Sequence, residues 1–576
     1  YLAVREVWDE WIAVLSTAVL SVTLWHVLFS RLGFRAVLVP LFASLSVWQV
    51  ARGVRTHRLR HWGLGGAAAG ALLYTYPAAR AAVIPALLMI LYTRRRGHRE
   101  DSPSLHEGLS FAISALLVMA PFLIHAAVNP DEVLQRTGNV ASVFNTDTPW
   151  AMLWDNLKGT VGMFFVRGDY LSRHNVPLRP VFDPALGAAF VVGVAVAIRR
   201  FRSDYGAAFL LFWTGTMLLP TVLAEKAPHF VRAIGVLPFL AVYPALGLAW
   251  IWRWLSRQSR ALGDAIVLGV LLAGLACTTW AYFIRYPEVP DLCYRFECAG
   301  THLASEVNVY LETGWSEGSW FAGRGAGRSD RQVFVQYQLW KDVVNAHYLI
   351  PDSPGFNVPG DPAIDSALPD PHLPMIYYGW YNRYYPDYWK EDMRRWLPPN
   401  ARIELSEGPM AVTHQDKEPH PAYLKFFAEP MALPAERLAD LDHGLSLVSS
   451  CTEETDTGLR VRLVWYADEV PPVDFTVFLH YERNGEIVAQ ADSEPGLGYY
   501  PMTSWRPGDQ FVDERHLSIG GTGPGDRVYA GLYFYLTGDR VPVLSAATAV
   551  EDDRIELSLR PCVDGLVPSA RSGTGS

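Results

Sequence analysis

The sequence predicts a polytopic α-helical membrane domain followed by a small α/β domain and a C-terminal antiparallel β-sandwich. Three observations carry this expectation. Residues 1 to about 285 are long apolar runs broken by short Arg-rich loops. Residues 286–433 mix helical and strand patterns, and residues 434–566 hold short alternating runs separated by Gly, Pro, Asn and Asp. A net charge of −9 and a mean hydropathy of +0.10 average over this change and hide it. The mild acidity and the lack of a Lys-rich stripe argue against a nucleic-acid partner.

The hydrocarbon core of a bilayer takes roughly 20 apolar residues per helix. Nine candidate spans reach or approach that length, at about 9–27, 36–53, 62–76, 79–93, 108–128, 184–198, 206–223, 233–254 and 263–284. The third and fourth are short and are divided at Tyr74-Thr75-Tyr76-Pro77; a single re-entrant pair there would leave the parity unchanged. One set of loops is rich in Arg: Arg52, Arg55, Arg58 and Arg60; Arg94, Arg95, Arg96 and Arg99; Arg199, Arg200 and Arg202; Arg253, Arg257 and Arg260. The positive-inside bias makes these loops cytoplasmic. Loops 28–35, 76–80, 129–183 and 224–232, together with the C-terminal half, then lie on the outer, periplasmic side of the plasma membrane.

In the region 286–433 the patterns predict a helix over 302–313, strands over 333–337 and 375–378, an aromatic-rich helix over 384–396 and a strand pair over 402–405 and 410–413. Strands over 444–448, 459–465, 475–481, 487–491, 510–517, 528–535 and 554–559 suggest the sandwich. Arg483-Asn484-Gly485-Glu486 is a hairpin turn signal. The tail 567–576 is small and polar, the composition of a disordered end. Of five cysteines, Cys277 falls in a span. Cys293 with Cys298, and Cys451 with Cys562, are candidate disulfides on the exported side, against the alternative of four free buried thiols.

The outer loops hold a dense set of polar groups. His26, Arg31 and Arg35 belong to the first, and Tyr74, Tyr76 and Arg80 to the short break. Arg167, Asp169, Arg173, His174 and Asn175 lie in the long loop, and Lys226, His229 and Arg232 in the last. Lys and Arg pair well with phosphate, and a helix starting near His229 would add its positive end. Each Arg could instead snorkel to lipid headgroups. Four such loops on one face, against the positive-inside bias, favour a shared function. No His, Asp and Glu cluster with ligand spacing is present, so no metal ligand is assigned and a divalent cation has no support in the sequence. In the C-terminal region Tyr499, Tyr500 and Trp505 could stack on sugar rings, or could fill the core as alternating aromatics do.

Three stretches resemble membrane glycosyltransferases of the GT-C superfamily, in the protein-mannosyltransferase and aminoarabinose-transferase-like group (glycosyltransferase family 39). They are Trp25-His26-Val27-Leu28-Phe29-Ser30-Arg31-Leu32-Gly33-Phe34-Arg35, Leu73-Tyr74-Thr75-Tyr76-Pro77-Ala78-Ala79-Arg80, and Met163-Phe164-Phe165-Val166-Arg167-Gly168-Asp169 with Arg173-His174-Asn175 and Pro177. The stretch Lys226-Ala227-Pro228-His229-Phe230-Val231-Arg232 is similar to that group's outer-face phosphate-binding segment. The resemblance covers about residues 1–285, and more loosely the α/β part. It implies transfer of a sugar from a polyprenyl-phosphate carrier to a protein, lipid or glycan acceptor at the outer membrane boundary. Lys226, His229, Arg232, Arg31 and Arg35 would then hold the phosphate. The family's acidic pair would precede Tyr1, so no catalytic base is assigned, and Asp169 is expected to shape the site.

Two other readings stay open. One is a transporter or flippase of a lipid-linked substrate, which the lack of a clear repeat and of many deep ionisable residues disfavours. The other is a non-enzymatic, membrane-anchored glycan-binding protein, which leaves the outer-loop set unexplained.

Overall fold

The structure, a computed structural model, describes residues 1–82, 84–85, 88–89, 103–130, 143–144, 146–317, 327–364, 366–380, 395–412 and 418–562. The chain divides into two compact units, Tyr1–Leu292 and Cys293–Ser576.

The first unit is helical, as its apolar runs dictate. Among the described residues five helices are long and apolar enough to cross a membrane: Arg35–Thr56, Leu105–Val128, Tyr205–Val222, Ile234–Leu255 and Arg260–Arg285. A sixth crossing is formed if Glu10–Ser21 and Leu24–Arg31, bent by 66°, count as one span. Among the described residues, then, five or six of the expected nine are long enough. The predicted span 62–76 is a helix of only 13 residues, Leu59–Ala71. The predicted span 184–198 is Pro184–Arg200, whose 17 residues reach about 25 Å at ~1.5 Å per residue, short of a hydrocarbon core about 30 Å thick. Most of the predicted span 79–93, and Arg94 to Arg99, lie outside the described residues.

Local signals set the helix starts. Asp9, Asp183, Asp204 and Ser259 each cap a first turn by accepting a backbone N–H, and Ser104 with Glu107 forms a capping box. Helix Pro184–Arg200 lies against Val242–Leu255 through two glycines. A Cβ on Gly193 would stand 1.8 Å from the Tyr243 carbonyl oxygen, and one on Gly247 would stand 1.9 Å from that of Ala189. Only small residues permit such an approach between apolar helices. The Gly247→Val protein is expected to lose about 1–3 kcal/mol or more by overpacking. A thermal melt in detergent should show a clearly lowered midpoint, and an unchanged one would refute the close crossing.

The second unit is built on β1 (Gln332–Val335), β2 (Phe356–Asn357), β3 (Met375–Gly379), β4 (Ala401–Glu407), β5 (Met410–Ala411), β6 (His420–Pro421), β7 (Leu424–Pro430), β8 (Ala439–Leu441) and β9 (Leu445–Thr455). It continues with β10 (Gly458–Ala467), β11 (Thr476–Arg483), β12 (Glu486–Gln490), β13 (Gln510–Leu517), β14 (Arg527–Tyr533), β15 (Val543–Ala546), β16 (Val550–Glu551) and β17 (Arg554–Leu557). Ten strands form one sheet in the order β15-β8-β9-β10-β13-β4-β7-β3-β1-β2, and five form a second, β12-β11-β14-β17-β16. Alternate residues of both sheets, such as Val461, Leu463 and Trp465 from one and Val477, Leu479 and Leu532 from the other, share one core.

The α/β and β-rich regions are joined by strand pairing. β13 runs parallel to β4, with Gln510 opposite Arg402 and Phe511 opposite Ile403, so one sheet crosses the division expected at 433/434. Helix Cys298–Leu311 buries Leu303, Val307 and Leu311 with Val333 and Val335 of β1 and Ile376 of β3. Asn484 and Gly485, both at positive φ, make the turn between β11 and β12. Cys293–Cys298 and Cys451–Cys562 are disulfides, with Cα atoms 4.8 Å and 4.9 Å apart. The predicted helix 384–396, except its last two residues, and the tail 567–576 lie outside the described residues.

Tyr500 and Trp505 are buried, at 2% and 1% exposure, and the Trp505 indole N–H donates to the Tyr500 carbonyl. Tyr499 packs half-buried against the same core. This corrects the expectation of glycan contacts at Tyr500 and Trp505: their rings fill the space around Phe511 and are not available to a ligand.

Candidate functional site

The site is built from two loops of the helical unit. The first runs from Met163 to Asp183. Its ends are tied where Val181 and Phe182 donate to the carbonyls of Met163 and Phe164, at 2.9 and 3.1 Å. Further along, the Gly168 N–H donates to Leu178 O at 3.1 Å, and the Leu178 N–H to Asp169 O at 2.8 Å. Gly168 is required here, since a Cβ would meet the Arg179 carbonyl oxygen at 2.0 Å. The Asn175 side chain closes the turn by donating to Asp169 O and Arg179 O at 3.2 and 2.6 Å.

The second loop, 223–232, is held from a surface helix, Pro149–Gly162. Asn156 donates to Val222 O and Ala224 O at 3.1 and 2.7 Å and accepts from the Ala227 N–H at 3.0 Å. The Thr221 hydroxyl accepts from the His229 N–H at 2.9 Å. This helix has inverted amphipathicity. Trp150, Trp154, Leu157 and Val161 point outward, and Asn156 and Thr160 are buried.

Asp169 fastens the two loops together. It is fully buried. One carboxylate oxygen accepts from the Leu171 N–H at 2.9 Å in its own loop. The other accepts from the Phe230 N–H at 2.7 Å in the second loop and lies 3.2 Å from His174 Nδ1. The His174 and His229 rings are thereby set with centroids 5.1 Å apart. Phe29, near the end of helix Leu24–Arg31, touches His174 edge-on at 5.8 Å, and Trp25 stacks on Phe230 at 4.5 Å.

His229 is kept neutral. Burial, helped by the nearby Arg232 and His174 charges and opposed by Asp169, pushes its pKa down to about 4 from an ordinary 6.5. Its Nδ1 accepts from the Arg232 N–H at 3.4 Å, so the neutral ring carries its proton on Nε2, as a donor. Between pH 6.5 and about 4 the unfolded chain takes up a proton that folded His229 refuses. The stability gained by keeping it neutral is complete above pH 6.5 and is lost as pH falls toward 4. The melting midpoint should fall over that window, and His229→Gln should flatten the fall; an identical pH profile in both proteins would overturn the assignment.

Arg232 is half-buried, and its Nη1 is buried without a hydrogen-bond partner among the described residues. The charges of Arg232 and Arg35 both reach the Tyr76 phenol, so residues of loops 28–35, 76–80 and 224–232 lie within electrostatic range of one another. Other predicted site residues face elsewhere. Arg31 lies over the Tyr282 ring at 5.7 Å, Arg80 over Phe122 at 5.5 Å and Lys226 over Tyr170 at 4.1 Å. The Tyr74 hydroxyl donates to Val118 O at 2.8 Å. Arg173 faces Tyr286, Arg167 is exposed and His26 is half-buried.

The structure also corrects the reading that no metal-ligand set exists. Asp169, His174 and His229 offer ligand atoms within 4.8 Å of one another. Sequence spacing hid the set because it spans two loops. The two Asp169 oxygens already accept backbone N–H groups from both loops, so the cluster is satisfied as a polar clamp, and a cation would have to displace the His174 contact. Sequence reasoning missed Asn156 and Thr221. The signal for Asn156 was present in the lipid-like spacing of Trp150, Trp154, Leu157 and Val161 around it.

Helices long and apolar enough to cross a bilayer mark an integral membrane protein. Residues 1–125 match the family described as dolichyl-phosphate-mannose-protein mannosyltransferase, which identifies this segment as GT-C mannosyltransferase-like. No curated protein matches the chain.

Proposed function

We propose that this protein is a membrane glycosyltransferase that moves a sugar from a polyprenyl-phosphate carrier to a protein, lipid or glycan acceptor at the outer face of the membrane. The observation that supports it most is the buried Arg232 Nη1, without a hydrogen-bond partner among the described residues, beside a neutral His229 whose Nε2 is a donor. A buried guanidinium nitrogen without an acceptor calls for an anion. A phosphate placed there would accept from Arg232 and from His229 Nε2–H, with Arg35 adding charge from the first loop. These donors would stabilise the charge that develops on the leaving phosphate as the glycosidic C–O bond breaks. Asp169 has both oxygens committed to backbone N–H groups, so its role is to position the loops and not to remove a proton from the acceptor.

The exposed Trp150, Trp154 and Val161 would lie against lipid and bring the carrier's tail past the clamp. The Arg-rich loops would face the cytoplasm, and the second unit, read as an α/β domain followed by a sandwich, would be periplasmic. The test is reconstitution of the full protein in proteoliposomes with labelled polyprenyl-phosphate sugars. Appearance of label on a new acceptor supports the proposal. Movement of the intact labelled lipid between leaflets without transfer would replace it with a flippase.

A further inference from the structure

The opposite end of the helical unit carries a second polar site. Helix Pro184–Arg200 starts beside Asp183, in the long loop that Asp169 organises, and ends at Arg200. Its 17 residues place Arg200 about 25 Å along the axis from that loop. At this far end a cavity of about 280 Å³ opens between helices, lined by Arg200, Arg253, Asp9, Asp204, Trp8 and Trp250 over an aliphatic floor. That volume is close to the roughly 300 Å³ at which small-ligand sites begin.

The charges around the cavity are balanced but not paired. Neither the Arg200 nor the Arg253 guanidinium has an ion pair or side-chain hydrogen bond among the described residues. Both carboxylates are fixed in place by their capping roles. One oxygen of Asp9 accepts from the Ile12 N–H at 2.8 Å, and one oxygen of Asp204 accepts from the Ala207 N–H at 3.2 Å. The second oxygen of each is uncommitted among the described residues. Among the described residues two cations and two anions thus border one cavity and balance in charge, with donors and acceptors to spare. Trp250 is 47% exposed, and Trp8 is half-buried against Phe209. Indoles in such positions mark the membrane–water boundary.

We propose that this cavity binds the headgroup of an aminophospholipid. The phosphodiester accepts from Arg200 and Arg253, and the primary ammonium donates to the free oxygens of Asp9 and Asp204. A net-neutral rim favours a zwitterion over an anionic headgroup, because an anion would meet the two carboxylates without an ammonium to offset them. A quaternary ammonium fits less well, having no N–H to give. The inference is independent of sugar transfer and concerns the end of the helices remote from Arg232.

The test is lipid retention by the purified full-length protein in native mass spectrometry, with phosphatidylethanolamine, phosphatidylcholine and phosphatidylglycerol offered at equal concentration. Phosphatidylethanolamine is expected to be retained at least about tenfold better than either of the others, the scale of one charge-assisted hydrogen bond. Arg200→Gln with Arg253→Gln should lower retention of all three; if that pair fails to fold, the two single changes carry the test. Asp9→Asn with Asp204→Asn keeps the helix caps, since Asn caps as well as Asp. It removes both negative charges and should reverse the preference toward phosphatidylglycerol. Competition by soluble phosphoethanolamine would assign recognition to the headgroup alone. Its failure to compete, with the variant effects intact, would assign the site to the whole lipid. Equal retention of the three lipids by the wild-type protein, or preferences unchanged in the Asn pair, would overturn the proposal.

Discussion

The Arg232→Ala protein is expected to transfer sugar at least about 100-fold more slowly than the wild type, the usual cost of deleting one donor aimed at developing charge. The size follows from position. Arg232 is half-buried, and its Nη1 has no hydrogen-bond partner among the described residues, so its charge is left for a ligand. Arg232→Lys should recover only a minor part, because a lysine carries one compact charge and lacks the planar fork that meets two phosphate oxygens. Lys226→Ala should cost far less, under about tenfold. Its ammonium sits 4.1 Å from the centre of the Tyr170 ring, an arrangement that already satisfies it. The measurement is the rate of label transfer in proteoliposomes at saturating donor, with Kd for the carrier determined separately. Equal losses for the two variants would remove the distinction drawn between a phosphate ligand and a loop-packing residue. An Arg232→Ala protein of unchanged rate would remove Arg232 from the mechanism.

That distinction could not be read from residue types. In the sequence Lys226 and Arg232 are equivalent cations in one loop; in the structure one is capped by an aromatic face and the other keeps a buried Nη1 without a partner among the described residues. What the sequence does reveal is whatever depends on local pattern. The change near residue 285 is legible because twenty-residue apolar runs have few other uses, and the structure divides at Leu292. The turn at Asn484-Gly485 is legible because both central residues need positive φ. The juxtaposition of Asp169 with Phe230 is not legible. These residues are 61 positions apart, and the bond uses a backbone N–H that every residue but proline carries. The parallel pairing of β13 with β4 is hidden for the same reason, since a strand's composition says nothing about which remote edge it completes. Tyr500 and Trp505 show the limit from the other side. An aromatic in an alternating run serves a core or a sugar equally well, and only the position of Phe511 decides it.

Asp169→Asn is expected to slow transfer by about 100-fold by a different route, and the two routes can be told apart. The wild-type carboxylate accepts on both oxygens, from Leu171 in one loop and Phe230 in the other. An amide offers one oxygen. Whichever way it turns, its NH₂ faces a backbone N–H, and one buried donor loses its acceptor at a cost of about 1–3 kcal/mol. If the Phe230 bond is the one lost, the second loop is freed from the first, and His229 and Arg232 move with it. Displacements of about 1 Å at such positions can cost about 100-fold in rate, so the loss should match that of Arg232→Ala. Hydrogen exchange separates the causes. In Asp169→Asn the amides of residues 167–178 and 226–233 should exchange faster, while those of β9 and β10 in the second unit keep the wild-type rate. In Arg232→Ala both loops should stay protected, because Asp169, Asn156 and Thr221 still hold them. Faster exchange in neither variant would mean that Asp169 does not fasten the loops, and faster exchange in both would mean that Arg232 is structural and the phosphate site lies elsewhere.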